Sequence, residues 1–520
     1  MHKASQLVPQ RNNEYAMHTL NHLIPYPSFG VDYQSGVLPL DDLDTIAVSD
    51  SQFVFAANQV SAFLESQTHA AHPIVPTVEK SCFVFETSQT LLDEEGYQLT
   101  ITPQRCTIES SSSKGAFYAV QTLKQLYCDK TKSFPCCHIQ DAPSLSWRGF
   151  LLDSTRSFCP VEDVYRILDL MACLKLNVLH WHISDDQGWR IALDSYPHLI
   201  DSSTSYYTKQ EVQDLIAYGI ERNITIIPEI DMPGHFVAAL YAYPQFSCTG
   251  GPFTVPHEAG IFLDVLCVGK DEALQFAKQV VEEICDLFPS SYIHLGGDEI
   301  PLVRWKSCPD CQKRMRDLHL PDERSLLRWF SNEMVKVAKA KGKQVILWDD
   351  FLNDQYDSSI ITQIWNPLIE TNQINPSDNA RCIIKSDYFH TYLDMDHSMV
   401  STKTVYQYGS AIQKDKKRGG PILGSEFLLW TEHIHTREER DSHLFPRLAA
   451  GAESLWTREE LLDYKRFTKS FSKAYKKILM HPVTIAHRYA WDPPRLYQVI
   501  RNHLQKRRVH RNSIEAGITL

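Results

Sequence analysis

No apolar run in the 520-residue chain reaches the ~18 residues that a membrane-spanning helix needs. The first twenty residues, MHKASQLVPQRNNEYAMHTL, lack the apolar stretch of a secretory leader. A basic excess is also missing. The formal net charge is -11, which argues against nucleic acid as the main partner, because phosphate binding wants a basic face. A disulfide framework is missing as well: the thirteen Cys are odd in number, and most sit in apolar segments, as Cys82, Cys128, Cys173, Cys267 and Cys285 do. Cys308-Pro-Asp-Cys311 is a lone CxxC with no second pair in view, so it reads as a structural loop and not as a metal or redox motif. These absences together favour a reducing compartment. The expectation is a cytoplasmic protein, or a periplasmic or secreted one whose leader has been removed, with no membrane partner.

What is present is an ordinary globular composition, 43% apolar and 22% charged. Twenty-three Tyr, twenty-three Phe and ten Trp stand out, since aromatic faces stack on the C–H faces of sugars as well as filling cores. The length exceeds a usual single core and predicts two domains. Residues 1–20 read as a polar lead-in. Residues 21–142 read as a small α+β domain of short strands and two helices, with strands at 45–49, 81–86, 97–102 and 105–109 and one helix over 116–126. Pro135 to Pro143 reads as the connector. The tail, 486–520, is basic through Arg495, Arg501, Lys506, Arg507, Arg508 and Arg511, and reads as a solvated surface.

Between 143 and 485 the rhythm changes. Apolar runs recur at 147–153, 177–183, 224–230, 291–296, 344–348, 360–365, 381–386 and 422–430. Amphipathic stretches at 161–174, 209–222, 270–287, 323–341 and 437–451 lie between many of them. Near-continuous apolar strands alternating with helices predict a parallel sheet covered on its outer face, and eight such units predict a (β/α)8 TIM barrel. Active sites in that fold lie where strands end. The strand ends here carry Asp153 and Arg156; His180, His182, Asp185 and Asp186; Glu229, Asp231 and His235; Asp298 and Glu299; Trp348, Asp349 and Asp350; Trp365; Tyr388, Tyr392 and Asp394; Trp430 and Glu432.

The run Tyr292-Ile-His-Leu-Gly-Gly-Asp-Glu-Ile-Pro301 is the sharpest of these ends. Two glycines allow a close backbone or ligand approach. Two adjacent carboxylates repel when both are ionised, so one tends to hold a proton, as a general acid for glycosyl transfer must. A solvated Asp-Glu turn is the plainer alternative. Trp348, Trp365 and Trp430 would make an aromatic wall for a pyranose, with carboxylates and Arg148 on its hydroxyls, although each Trp taken alone is an ordinary core residue. A metal-dependent, amidohydrolase-like site can also be drawn from His180, His182, His235, His294, Asp185 and Asp298. Against it, the His-x-His falls on the second strand, and no strand end offers a bridging lysine. The expectation is therefore no metal and no cofactor.

Four ordered blocks resemble the glycoside hydrolase family 20 β-N-acetylhexosaminidases. They are Trp147-Arg-Gly-Phe-Leu-Leu-Asp-Ser-Thr-Arg156, Asn177-Val-Leu-His-Trp-His-Ile-Ser-Asp-Asp-Gln-Gly-Trp-Arg190, Pro228-Glu-Ile-Asp-Met-Pro-Gly-His235 and His294-Leu-Gly-Gly-Asp-Glu299. Gly115-Ala-Phe-Tyr-Ala-Val-Gln-Thr-Leu123 resembles a helix of that family's accessory domain. The resemblance implies exo-hydrolysis of terminal β-linked GlcNAc or GalNAc, with the substrate's 2-acetamido group as nucleophile. It implies Glu299 as general acid/base and Asp298 as the acceptor of the acetamido N–H. Asp185 and His235 would form a relay tuning Glu299, with Asp185 and Asp186 as alternatives for that place. Arg148 and Glu432 would bind hydroxyls. Tyr392 would donate to the acetamido oxygen beside Asp394, and Trp348, Trp365 and Trp430 would form the wall. A sugar-binding protein without turnover would share this scaffold, but the intact Asp298-Glu299 pair speaks against it.

Overall fold

A computed structural model describes residues 21–40, 45–76, 81–91, 93–352, 355–366, 381–494, 496–497 and 499–500. The expected lead-in, 1–20, and the basic residues singled out in the tail lie outside the described residues.

The first unit is a mixed seven-stranded sheet. Its strands are β1 (Val31–Pro39), β2 (Ile46–Val48), β3 (Ile74–Val75), β4 (Phe83–Thr87), β5 (Tyr97–Ile101), β6 (Cys106–Ser110) and β7 (Ser133–Asp141), in the order β1-β7-β5-β6-β4-β2-β3. Strands β5 and β6 alternate buried and half-buried residues, the pattern of a sheet covered on one face. Helices Val54–Thr68 and Ser113–Leu126 supply the cover. The second starts at Ser112, whose side chain accepts from the Lys114 N–H, and it is buried along most of its length.

The stretch expected as a connector, 135–143, is mostly strand. Proline cannot donate to a ladder and so argues for a linker or an edge. Pro135 escapes that penalty by position. Strand β5 pairs only with residues 137–141 of β7, so Pro135 has β1 alone as neighbour, beside an irregularity in that ladder.

The second unit is a closed barrel of eight parallel strands: β8 (Trp147–Asp153), β9 (Val178–His182), β12 (Thr225–Glu229), β13 (Tyr292–His294), β14 (Gln344–Trp348), β15 (Ile361–Ile364), β16 (Ile383–Lys385) and β17 (Ile422–Leu429), which returns to pair with β8. A short hairpin, β10 (Ser184–Asp185) and β11 (Gly188–Trp189), sits on the end of β9. Each of the eight expected runs contains one barrel strand. All seven residues of β8 are buried, as expected for strands covered by helices outside and packed side chains within. The helix expected over 437–451 is two, Arg437–Leu444 and Arg447–Trp456, because Pro446 cannot continue a helix and reaims the chain.

Arg148 is not at the mouth of the barrel, which corrects its expected place among the sugar-binding residues. It is the second residue of β8, at the end opposite the rim, and it is fully buried. Its guanidinium donates to Glu95 (2.6 and 3.0 Å), to Leu145 O (2.7 Å) and to Lys175 O (2.9 Å), and lies 5.0 Å from the Trp456 ring centre. Nearby, Lys175 Nζ donates to Asp141 (2.9 Å), which also accepts from Trp456 Nε1 (2.9 Å) and from the Ser28 N–H (2.7 Å). These groups join the accessory sheet to the barrel floor.

The CxxC is not alone either. Folding brings Cys248 and Cys267 to Cys308 and Cys311, with all four sulfur atoms within 4.8 Å of one another. The sequence hid the second pair because its members lie in separate loops.

Candidate active site

Strand β13 stops at His294, and the chain then turns through Leu295, Gly296 and Gly297. Gly296 has φ +62°, and a Cβ there would lie 1.9 Å from Asp231 Oδ1. Only glycine permits that approach, which lets Asp231 Oδ1 accept the Gly297 N–H at 3.0 Å. Glu299 is held at φ +48°, a strained conformation for a residue with a side chain. The turn leaves both adjacent carboxylates partly exposed at the strand end, Asp298 with 16% and Glu299 with 31% of its side chain exposed.

A chain of alternating charge runs inward from this pair. His235 Nε2 faces Glu299 Oε2 at 3.7 Å and Asp298 Oδ2 at 4.0 Å. Its Nδ1 donates to Asp185 Oδ1 at 3.2 Å and lies 3.3 Å from Asp186 Oδ2. Asp185 Oδ2 accepts from His182 Nε2 at 2.9 Å, and His182 Nδ1 donates to Glu229 Oε2 at 2.5 Å. Burial disfavours charge at each member, but the partners prevail. Asp185 is held far below the usual carboxylate range by Arg156, His235 and His182, while Asp185, Asp186 and Glu299 push His235 well above the usual imidazole range. Asp186, raised by burial, accepts the Val237 N–H (3.0 Å) and so caps the short helix Val237–Ala242. Asp185 is therefore the ionised partner of His235, and Asp186 an auxiliary contact.

Around this chain the acids outnumber the bases. Burial pushes Asp298 up to about 6, helped by the Glu299 charge and opposed by His235 and by a hydrogen bond with Asp231. Burial raises Asp349 to about 7 and lifts Asp231, Asp350 and Asp394 well above their ordinary value. Among the described residues, Asp298 Oδ1, Asp349 Oδ2 and Asp394 Oδ1 are buried acceptors without a protein donor. Buried acceptors are rarely left so, and these three belong to residues at or just after barrel strand ends. Such a field favours a ligand that offers N–H and O–H donors and develops positive charge.

Arg156 is the cation at this end of β8. It is 10% exposed, donates to Asp185 Oδ2 at 2.6 Å and to Gln187 Oε1 at 3.2 Å, and stacks 5.1 Å from the Trp430 ring centre. Glu432 adds to the negative field on it. Asp153 shapes the loop that carries it by accepting from the Thr155 N–H and the Thr431 N–H. Arg156, and not Arg148, is the arginine at the strand end. The rule that sites lie at strand ends separates the two, because Arg148 begins the strand and Arg156 follows its end.

Trp348, Trp365, Trp430 and Tyr392 gather on one side. Trp348 and Trp430 ring centres are 6.1 Å apart, Tyr392 lies 6.4 Å from Trp430, and Trp365 lies 6.5 Å from Tyr392. Trp348 is almost wholly buried and donates Nε1 to Glu229 Oε1 at 2.8 Å, so it forms floor and not wall. Trp365 donates Nε1 to Asp350 (2.5 Å) and is half-buried, as is Trp430. The Tyr392 phenol is kept protonated by burial and by the neighbouring Asp394 and Asp298 carboxylates, which leaves it a hydrogen-bond donor.

The residues of the alternative metal reading separate into two tiers. His180 lies below the mouth, between Glu426 (2.9 Å) and Glu229 (3.1 Å). Burial pulls it down, but those carboxylates raise it to about 9, and an imidazolium has no lone pair for a metal. Both nitrogens of His182 are already bonded to carboxylates, and His294 Nδ1 accepts the Gly296 N–H at 3.0 Å. Glu229 is the hub that sequence reading left without a role. Burial would raise it, yet His182, His294 and His180 hold it well below the carboxylate range. The alternation of carboxylate and histidine across three neighbouring strand ends was the available signal.

The comparisons with known proteins agree with this geometry. The family model described as glycosyl hydrolase family 20, catalytic domain, matches residues 145–459, and that of glycosyl hydrolase family 20, domain 2, matches 21–142. A curated β-hexosaminidase of Porphyromonas gingivalis is 34% identical over 482 residues, covering 85% of this chain, which spans 62% of that relative's length. The crystal structure of a Bacteroides fragilis β-N-acetylhexosaminidase superposes with a TM-score of 0.79 at 28% identity, covering 90% of this chain and 99% of that one. An exo-β-N-acetylglucosaminidase from Vibrio harveyi, solved with N-acetylglucosamine, gives 0.80 at 26% identity, over 90% and 78% of the two chains. Both units of the fold are thus accounted for, and the chain belongs to glycosyl hydrolase family 20.

Proposed function

We propose that this β-N-acetylhexosaminidase removes terminal, non-reducing GlcNAc or GalNAc from β-linked glycans, with retention of configuration and with the sugar's own acetamido group as nucleophile. The observation that carries the reading is the adjacency of Asp298 and Glu299 on one strained turn. Two carboxylates that divide the work of a glycosidase between acid and nucleophile flank the scissile bond about 5 Å or more apart on opposite sides. Sequence neighbours on one rim leave the far side of the sugar to the substrate.

On this reading Glu299 donates a proton to the leaving oxygen while the acetamido carbonyl oxygen attacks the anomeric carbon. The C–O bond breaks and an oxazolinium ion forms. Asp298 Oδ1, the buried acceptor without a protein donor, takes the acetamido N–H and faces the positive charge that develops there. Tyr392 donates to the acetamido oxygen. Water then adds to the anomeric carbon and returns its proton to Glu299. The imidazolium of His235, anchored by Asp185, holds Glu299 in place and adjusts its charge as it cycles between acid and base. Arg156, Glu432 and Asp394 bind hydroxyls, and Trp365 and Trp430 wall the ring. The N-acetylglucosamine held by the Vibrio harveyi structure supports a hexosamine substrate. The thirteen unpaired cysteines favour a reducing compartment, the cytoplasm, as its setting.

The test is hydrolysis of an aryl β-N-acetylglucosaminide, from about pH 4 to about pH 8, with the anomer of the first product read by NMR. A β product and tight competitive inhibition by a thiazoline analogue of the oxazolinium ion are expected. Binding of GlcNAc without turnover would leave a sugar-binding protein, and an α product would exclude the substrate-assisted route. A panel of chitobiose, GalNAc glycosides and β-1,6-linked GlcNAc oligomers then resolves the linkage.

A further inference from the structure

Four thiols that take no part in this chemistry meet beside the barrel. Cys248 follows the turn Pro244–Phe246, Cys267 precedes helix Asp271–Leu287, and Cys308 and Cys311 open helix Pro309–Asp317. The sulfur separations are 3.6 Å for Cys267–Cys308, 3.7 Å for Cys267–Cys311 and 3.9 Å for Cys248–Cys311. Cys267, Cys308 and Cys311 are buried and Cys248 is half-buried.

These distances discriminate. Disulfide sulfurs sit ~2.05 Å apart, and none of these pairs is close to that. Four thiolates at the zinc–sulfur distance of ~2.3 Å, arranged as a tetrahedron, lie ~3.8 Å from one another. The observed separations bracket that value. An iron–sulfur cluster would have to fit its irons and sulfides among the four thiolates, which a group this tight does not allow. Four thiolates without nitrogen or oxygen donors are the ligand set of a soft, tetrahedral ion.

The surroundings are built for such an ion. The Gly269 N–H donates to Cys267 sulfur. A Cβ on Gly269 would lie 2.2 Å from the Asp310 carbonyl carbon and the Cys311 nitrogen, so glycine is what lets the two loops close on each other. Lys270 Nζ donates to Gln245 O (2.9 Å) and Ser247 O (2.8 Å), and Arg314 Nη2 to Gly269 O (3.1 Å). These bonds brace the chain on either side of the cluster, next to Cys248 and next to Cys267.

We propose that Cys248, Cys267, Cys308 and Cys311 form a closed, tetrahedral four-thiolate zinc site. With all four positions taken by protein, the ion has none left for water, so its role is structural. It staples the loop after β12, which carries His235, to the loop after β13, which carries Asp298 and Glu299.

Protein produced in zinc-containing medium and purified without chelator should hold about one zinc ion per chain by elemental analysis, released by a thiol-reactive mercurial. Protein produced with cobalt should show intense thiolate-to-cobalt charge transfer and tetrahedral d–d bands, a readout that needs no variant. Cys311→Ser and Cys248→Ser should each weaken zinc retention by about tenfold or more. Glu299→Gln should keep its zinc, which separates this site from the carboxylates of the active site. The proposal is overturned by wild-type protein without zinc whose four thiols alkylate freely, by a mass showing two disulfides, by iron in the ion's place, or by zinc that persists undiminished in both cysteine variants.

Discussion

Strand β8 is flanked by two arginines of opposite purpose, one fully buried at its start and one half-buried past its end. At its start Arg148 meets Glu95, and nearby Lys175 meets Asp141, so each of these two buried cations has a carboxylate partner. Past its end Arg156 meets Asp185 in a mouth where Asp231, Asp298, Asp349, Asp350 and Asp394 are all pushed upward by burial and, among the described residues, Asp298, Asp349 and Asp394 each keep one oxygen without a protein donor. Both ends are dense in buried charge, so density does not mark a site. Imbalance does. A balanced cluster joins two domains, whereas an unbalanced one is completed by a ligand.

The sharpest way to break this contrast is at Glu299. Glu299→Gln should lower kcat by about 10²–10⁴-fold with an unchanged melting temperature; a loss under tenfold would remove it as the proton donor. Asp298→Asn should cost about 10²–10³-fold in kcat, the scale of one preorganised electrostatic contact. If activity survives that change, the acetamido group is not the nucleophile.

The two arginines offer the direct comparison. Arg156→Ala should lower kcat/KM by about ten- to a hundredfold, the worth of a charged hydrogen bond to substrate. Arg148→Met should leave kcat/KM of the folded enzyme unchanged but cost about 3 kcal/mol in denaturant unfolding, because Glu95 loses its buried partner. The reverse pattern would put the sugar site at the wrong end of the barrel.

The smallest effect is in pH. Asp298 is raised from 3.8 to about 6 in the folded state, so the native protein holds that proton more tightly than the unfolded chain does. Its contribution to stability is full below 3.8 and is lost as pH rises through about 6. Asp298→Asn should therefore melt about a few degrees higher than the parent at neutral pH, and the gap should close in acid. The acid limb of kcat/KM should fall near 6, because the same carboxylate must be ionised to accept the acetamido N–H. A melting difference that is flat in pH would mean that Asp298 is not held up by burial.

Much of the architecture could be read from the chain because a parallel barrel buries both faces of its strands. That makes each strand a continuous apolar run, and all eight were marked in this way. The first strand of the accessory sheet, β1, carries no such mark, since Gly36 and polar residues interrupt it at the sheet edge. Strand β7 was masked by Pro135, whose missing N–H matters only if a second neighbour needs it. For the site, Asp298, Glu299, Asp185 and His235 do converge, while Trp348 proves to be floor. Arg148 was misplaced although its own strand bounds put it at the wrong end.

The sequence by itself determined which residues stand at the rim, because strand period and chain direction are local properties. It could not choose partners. The bonds His182–Glu229, His235–Asp185 and His180–Glu426 join residues 47, 50 and 246 apart in the chain, and Cys248 meets Cys311 across 63. Such pairings follow from how strands and loops are brought together in space, and they set the charge of every group in the site. Only the tertiary structure decided that Arg156 meets Asp185, and that a lone CxxC has its second pair.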